Sequence, residues 1–193
     1  MKSKSTSIFW AGLIFSYLFT RLVNLKLIPI FTDEAIYTFW AQVALDDPAH
    51  RFISLQDGKQ PLFIWFAAIL QKFISDPLIA SRMVSVFAGF GSIIGIYLLA
   101  KELFSEKVAK IAAFLYLILP FTLLYDKLAL VDSLLTMFGI YAVFLSVKMA
   151  KNPQLDLALL NGFAISAAMI TKSSGNFFLY LLPFSLVLFN FTK

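Results

Sequence analysis

Residues 78–100 read LIASRMVSVFAGFGSIIGIYLLA, and the only charged residue in this run is Arg82. A helix needs about 20 apolar residues to cross a membrane. The chain contains five further apolar runs of roughly this kind, at residues 8–28, 108–125, 129–148, 156–172 and 175–191. The sequence therefore predicts an all-α fold, a transmembrane bundle of six helices.

The composition supports an integral membrane protein. Of the 193 residues, 60% are hydrophobic and 14% are charged, whereas soluble domains average about 45–50% and about 25%. The chain has no cysteine, which excludes disulfides and thiolate metal sites. The net charge of +5 is spread as single basic residues between apolar runs, so it indicates membrane topology and no nucleic-acid partner.

The topology depends on the run at residues 61–75, which contains Gln71 and Lys72. This run is short for a span and suits a helix that lies in the membrane interface. If it does not cross, most lysines fall on one side and most acids on the other. If it crosses, Lys101 changes side and Asp132 is separated from Asp33. We expect the first arrangement, with an external first loop at residues 29–77.

The positive-inside rule then places the lysine-rich side in the cytoplasm. We expect a multi-pass protein of the cell membrane with a cytoplasmic N-terminus. Residues 1–7 are basic and polar, and no small-residue cleavage site follows the apolar run at 8–28, which predicts an uncleaved signal anchor. No internal repeat or linker divides the chain, so residues 1–193 are predicted to form one domain.

The external loop carries an acidic pair, Asp33-Glu34. Pro29 ends the first span, and Thr32 is a suitable N-cap for a helix that begins at Asp33. Tyr37 lies one turn after Asp33 and shares its side of the helix. Acids in a first turn also interact favourably with the helix dipole, which is the alternative to a catalytic role.

Further charged residues stand at the edges of predicted spans. Asp132 begins one span, where an ionisable group is a functional candidate and helix capping is the alternative. Asp126 and Lys127 precede it and are expected to pair with each other. Arg21 lies inside the first span, where extension of its side chain towards the headgroups explains it as well as a function does.

Three cations are predicted on the acidic side, where the positive-inside rule disfavours them. They are Lys59, Arg82 and Lys172. Each taken alone is consistent with a membrane anchor. Together they predict a site that holds an anionic group near the carboxylates.

Other chemistries have weaker support. His50 is the only histidine, and no histidine or cysteine spacing suits a metal. Asp33 and Asp132 offer oxygen ligands of the kind that a hard divalent cation prefers. No glycine-rich phosphate loop is present, and Gly89, Gly91 and Gly95 are predicted to be helix-packing glycines.

The order of several short motifs resembles a known family. The motifs are Asp33-Glu34-Ala35-Ile36-Tyr37, Lys59-Gln60-Pro61-Leu62, Arg82-Met83-Val84-Ser85, Tyr125-Asp126-Lys127 to Asp132, and Thr171-Lys172-Ser173-Ser174-Gly175. They are similar to the N-terminal half of C-type glycosyltransferases, which use polyprenyl-phosphate sugars. Protein O-mannosyltransferases and lipid A aminoarabinose transferases are the most similar branches. Gln60, Lys127 and Ser173 depart from the usual pattern, and the chain is about half the family's common length.

The resemblance implies catalytic roles for Asp33, Glu34 and Asp132, and donor binding by Lys59, Arg82, Lys172 and Tyr37. It implies transfer of a sugar, with inversion, from a lipid-phosphate donor to a protein, lipid or glycan acceptor outside the cell. Asp33 would act as the base, and an acceptor that is already ionised would need none. Two alternatives stay open, namely a transporter or flippase subunit and a non-catalytic part of a longer transferase.

Overall fold

The computed structural model describes residues 2–184 and residue 187, and this part of the chain contains helices and turns without a strand. The predicted all-α class is therefore confirmed. The α-helices in chain order are α1 (Lys2–Leu22), α2 (Thr32–Asp46), α3 (Leu62–Gln71), α4 (Pro77–Leu103), α5 (Glu106–Ile118), α6 (Pro120–Tyr125), α7 (Val131–Lys151), α8 (Leu155–Thr171) and α9 (Asn176–Leu181).

Two of these helices, α4 and α7, are long and apolar enough to cross a membrane. Residues 6–22, α3 and α8 are apolar but shorter than 18 residues. The six-span bundle stays a prediction, and residues 185, 186 and 188–191 of the predicted span at 175–191 lie outside the described residues. The run at 61–75 forms only the ten-residue helix α3. This agrees with the prediction that the run is short for a membrane span.

The predicted span at 108–125 is not one continuous helix. It is divided between α5 and α6 at Leu119, whose φ of −59° and ψ of 127° are not helical. Pro120 follows, and the residue before a proline is driven out of the α region by contact with the proline ring. Pro120 itself begins α6, where its missing N–H costs nothing.

Helix α4 is the centre of the fold, since it packs against α3, α5 and α7. Its glycines allow this close packing. A Cβ on Gly91 would collide with Met137, and a Cβ on Gly95 would collide with Ile140, both on α7. The prediction that these are helix-packing glycines is confirmed.

The two ends of the helix bundle carry different sets of charged residues. At one end, which we call the basic end, Lys151 in the last turn of α7 bonds to Glu102 near the end of α4 at 2.9 Å. Lys110 on α5 lies 3.3 Å from Glu106, whose carboxylate also accepts from Thr6 on α1. The opposite end contains the starts of α2, α4 and α7 and the residues after α8, and we call it the cavity end.

The start of α2 differs from its predicted form. The helix begins at Thr32, one residue earlier than expected, and Phe31 occupies the capping position without a side-chain cap. The predicted N-cap role of Thr32 is therefore wrong. The Phe31 N–H instead donates to Glu34 Oε2 at 3.1 Å, so the acidic pair itself supplies the acceptor that the helix start needs.

Candidate functional site

A cavity of about 380 Å³ opens at the cavity end of the bundle. Five of the seven predicted site residues line it, although they come from four separate parts of the chain. The lining residues with polar side chains include Asp33, Tyr37, Lys59, Gln60, Tyr125, Asp132, Thr171, Lys172, Ser173 and Ser174. The fold thus brings Asp33 and Asp132 to one cavity, as the predicted topology requires.

Asp132 and Lys172 form an ion pair across the cavity. Lys172 Nζ donates to Asp132 Oδ1 at 2.7 Å, and both side chains are partly exposed. Asp132 lies in the first turn of α7, and Lys172 follows the last residue of α8, so the pair joins two neighbouring helix ends. Gly175 is required nearby, because a Cβ there would collide with the backbone of Ala168.

Asp33 and Lys59 line the same cavity, and neither side chain has a hydrogen bond or ion pair within residues 6–184. Lys59 follows Gly58, whose φ of +68° places it in the left-handed region that favours glycine. The Lys59 N–H donates to the Ser54 carbonyl at 3.0 Å, which fixes this turn against the cavity. These two side chains are thus free to meet a ligand.

Tyr37 lines the same cavity as Asp33 and Asp132. Its side chain is largely buried, and burial raises the pKa of its hydroxyl to about 12, with further upward contributions from the charges of Asp33, Asp132 and Asp57. At neutral pH the hydroxyl is therefore protonated and can donate a hydrogen bond. This arrangement suits recognition of a phosphate or sugar oxygen.

Glu34 and Arg82 occupy a different position from the one expected of cavity residues. Both are fully buried, and the guanidinium binds the carboxylate through two bonds of 2.9 Å. Arg82 also donates to the carbonyls of Leu25 and Ile28, while Glu34 accepts from the Ala129 N–H at 2.6 Å. Neither residue lines the cavity, so the structure brings these two predicted site residues to each other and away from the other five.

A second buried ion pair was not predicted from the sequence. Arg21 Nε lies 3.5 Å from Asp126 Oδ2, and both side chains are buried. Asp126 also accepts from Tyr116 and Ser133 at 3.2 and 3.0 Å. We call this group, with the Tyr17 hydroxyl that lies 3.4 Å from Asp126, the Asp126 cluster.

The expected roles of these residues need correction. Asp126 does not pair with Lys127, whose amino group donates to the Val23 carbonyl at 3.0 Å. Arg21 does not extend towards headgroups, since its other bonds include one of 2.8 Å to the Leu117 carbonyl. The sequence did contain a hint of this pair, since Arg21 is a cation inside one predicted span and Asp126 is an acid directly after another.

The two buried pairs hold the segment 126–132 at two points. Asp126 fixes its beginning, and Glu34 fixes its middle through the Ala129 N–H. Ser85 on α4 donates to the Leu130 carbonyl at 3.2 Å. Since Asp132 ends this segment and Asp33 adjoins Glu34, each cavity acid is placed by a buried acid close to it in sequence.

The described residues that could take part in metal or histidine chemistry are few. Among the described residues no group of three or more His, Cys, Asp or Glu side chains could hold a metal ion. Asp33 and Asp132 supply two carboxylates, so a divalent cation there would take further ligands from water or a phosphate. His50 pairs with Asp47 at 2.6 Å on the surface and does not line the cavity.

The fold and the cavity together define a helical membrane protein with a polar site at one end of its bundle. A family model described as dolichyl-phosphate-mannose-protein mannosyltransferase matches residues 58–192, and the chain belongs to this family. It is therefore a membrane glycosyltransferase of the mannosyltransferase type, and the resemblance seen in the sequence motifs is confirmed. Comparison with curated proteins and with solved structures found no match.

The matched range divides the site residues. Lys59, Arg82, Asp132 and Lys172 lie inside it, whereas the Asp33-Glu34 pair lies before it. The family match therefore covers the part of the chain that forms the cavity after residue 58, and the geometry alone joins Asp33 to that part.

Proposed function

We propose that this protein transfers a sugar from a polyprenyl-phosphate donor to an acceptor hydroxyl at the described cavity. The observation that carries the proposal is that two carboxylates, two lysines and a protonated tyrosine from distant parts of the chain line one cavity of about 380 Å³. A membrane glycosyltransferase needs a base for the acceptor and cations for the departing phosphate, and this cavity contains both kinds of group.

In the proposed reaction the acceptor oxygen attacks the anomeric carbon of the sugar. The bond from that carbon to the phosphate oxygen breaks, and the phosphate leaves with the bonding electrons. Asp33 takes the proton of the acceptor hydroxyl, because its carboxylate has no other partner among the described side chains. Attack opposite the leaving group inverts the configuration of the sugar.

The departing phosphate gains negative charge, which cations in the cavity stabilise. Lys59 is the principal candidate, since its ammonium group is unpaired in the described part of the chain. Lys172 is partly neutralised by Asp132 and adds a second positive group. Tyr37 donates a hydrogen bond to the donor. Arg82 and Glu34 act indirectly, because their mutual bonds enclose both of them.

A divalent cation is the alternative for an acceptor that is already ionised and needs no base, with Asp33 and Asp132 as the protein ligands of that cation. A phosphate of the donor and water would complete its coordination. Transfer measured before and after treatment with EDTA tests this role. We expect lower transfer after chelation and recovery with added Mg²⁺ or Mn²⁺, while unchanged transfer would remove the cation from the proposal.

We further propose that the cavity faces the outside of the cell membrane. The basic end contains Lys101, Lys110 and Lys151 with their partner acids, and such lysines favour the cytoplasmic side. The acceptor is then a protein, lipid or glycan that is present outside the cytoplasm.

The experiment is transfer from radiolabelled polyprenyl-phosphate mannose in membranes that contain Asp33→Asn. We expect the rate to fall about 10²–10⁴-fold, since a positioned general base contributes about that factor. Asp46→Asn is the matched control, because it makes the same change on an exposed residue at the far end of α2.

Expression and thermal stability of both variants should equal those of the unmodified protein. Transfer by Asp33→Asn at the rate of the Asp46→Asn control would exclude Asp33 from the mechanism.

A further inference from the structure

A second cavity, separate from the proposed active site, lies between α2 and α3. Its volume is about 420 Å³, and it shares no lining residue with the active-site cavity. We call it the α2–α3 pocket. Its lining residues are Ala44, Leu45, Arg51, Phe52, Trp65, Ala68, Ile69 and Lys72.

The wall of this pocket is held in place by specific contacts. Trp65 Nε1 donates to the Arg51 carbonyl at 2.7 Å, which ties the turn after α2 to α3. The ring of Phe52 packs edge-on against Trp65, with 5.2 Å between the ring centres. Ala44 and Ala68 are buried and form an apolar floor.

The pocket carries positive charge without acidic compensation. Arg51 and Lys72 line it, and no aspartate or glutamate does. Within residues 6–184 neither cation forms an ion pair, in contrast to Lys26, Lys110, Lys151 and Lys172. An occupant that complements this pocket therefore combines an anionic group with an apolar portion.

The position of the pocket in the fold identifies the kind of occupant. Lys72 lies four residues before Asp76, the residue that caps the candidate span α4, so the cations lie near the level where that span begins. Tryptophan and cationic side chains at this level favour the membrane–water interface. Phe52, Ile69 and Phe73 are exposed around the pocket, as lipid-facing side chains would be.

We propose that the α2–α3 pocket binds one anionic phospholipid. Arg51 and Lys72 hold its phosphate, and its acyl chain lies against Leu45, Ala68 and Ile69. Basic pockets beside membrane helices bind lipid headgroups in this way. Because this site shares no residue with the active-site cavity, it stands independently of the reaction proposed above.

The test is native mass spectrometry of the purified full chain from mixed micelles of phosphatidylglycerol and phosphatidylcholine with identical acyl chains. We expect preferential retention of one phosphatidylglycerol. Arg51→Gln and Lys72→Gln should each weaken retention roughly fivefold, and the double variant roughly thirtyfold, since a basic residue near an anionic lipid contributes about 1 kcal/mol. Lys107→Gln is the matched control, because this exposed lysine lies at the basic end.

Several outcomes would overturn the proposal. Equal retention of both lipids, or wild-type retention by the double variant, would show that Arg51 and Lys72 do not select an anion. Complete displacement by inorganic phosphate would show that the apolar floor contributes nothing. Displacement by undecaprenyl phosphate at a much lower concentration would assign the pocket to the donor lipid instead.

Discussion

At the scale of single residues, the buried Glu34–Arg82 pair shows how this chain keeps charge inside an apolar bundle. Two opposite charges can be removed from water only when nearly all of their bonding groups are satisfied. Glu34 accepts four hydrogen bonds, from Phe31, Ala129 and twice from Arg82. The planar guanidinium is essential to this arrangement, because a single ammonium group cannot form the paired bonds.

We therefore expect Arg82→Lys to reduce stability by about 1–3 kcal/mol, the cost of leaving buried polar groups without partners. The turnover number for transfer should fall because Ala129 and the segment 126–132 shift, while the donor KM should change little. Chemical unfolding in detergent and donor titrations measure the two effects. Lys59→Gln is the comparison, and it should raise the donor KM without a loss of stability. A raised donor KM at unchanged stability in Arg82→Lys would contradict the indirect role.

The Tyr37 hydroxyl gives a second prediction for a single residue. Tyr37→Phe removes one hydrogen-bond donor and should lower transfer about tenfold, which corresponds to a net hydrogen bond of up to about 1.5 kcal/mol. Because burial and neighbouring acids raise the pKa of Tyr37 to about 12, the hydroxyl keeps its proton below pH 10. The ratio of wild-type to variant rates should therefore stay constant between pH 7 and pH 10 and decline only as the pH approaches 12. A ratio that already declines between pH 8 and pH 9 would contradict this assignment.

At the scale of the elements, the Asp126 cluster fixes how α1, α4, α5 and α7 approach each other. Arg21 comes from α1 and Tyr116 from α5, while Ser133 lies on α7. Gly89 on α4 leaves room for this cluster, since a Cβ there would collide with Tyr17 and Asp126. The close approach of α4 to the Asp126 cluster thus depends on the absence of a side chain at Gly89.

Gly89→Ala should destabilise the protein by about 1–3 kcal/mol, the usual cost of overpacking. Gly12→Ala is the matched control, because nothing among the described residues lies within 4 Å of a Cβ at that position. The control should be neutral or more stable by up to about 1 kcal/mol, since alanine favours a helix over glycine. Thermal unfolding in detergent measures the stability of both variants. Equal stability of the two would show that the cluster tolerates a displaced α4.

At the scale of the whole molecule, the separation of the two ends predicts the orientation in the membrane. The native chain has no cysteine, so a single introduced cysteine gives an unambiguous label. Gln56→Cys lies in the turn between α2 and α3 at the cavity end, and Lys107→Cys lies at the basic end, and both positions are exposed. We expect a membrane-impermeant maleimide to label Gln56→Cys in intact cells and Lys107→Cys only after permeabilisation. The reverse pattern would place the cavity in the cytoplasm.

Much of the site was predictable because the topology of a membrane protein can be inferred from its apolar runs and the positions of its lysines. Apolar runs and lysine positions indicate which charges share a side of the membrane, and they group Asp33, Lys59, Asp132 and Lys172. Helical spacing placed Tyr37 beside Asp33. These inferences need only local periodicity and the sign of each charge, and both are visible in the chain.

The sequence by itself thus determined the all-α class and the family, and it named most of the side chains that meet in one cavity. Only the tertiary structure decided which charges are free. Glu34 and Asp33 are adjacent and chemically alike, yet Glu34 is enclosed by Arg82 while Asp33 lines the cavity. The physical reason is that pairing depends on which distant residue lies within about 3 Å. That distance is set by helix packing around α4, and no local pattern in the sequence contains it.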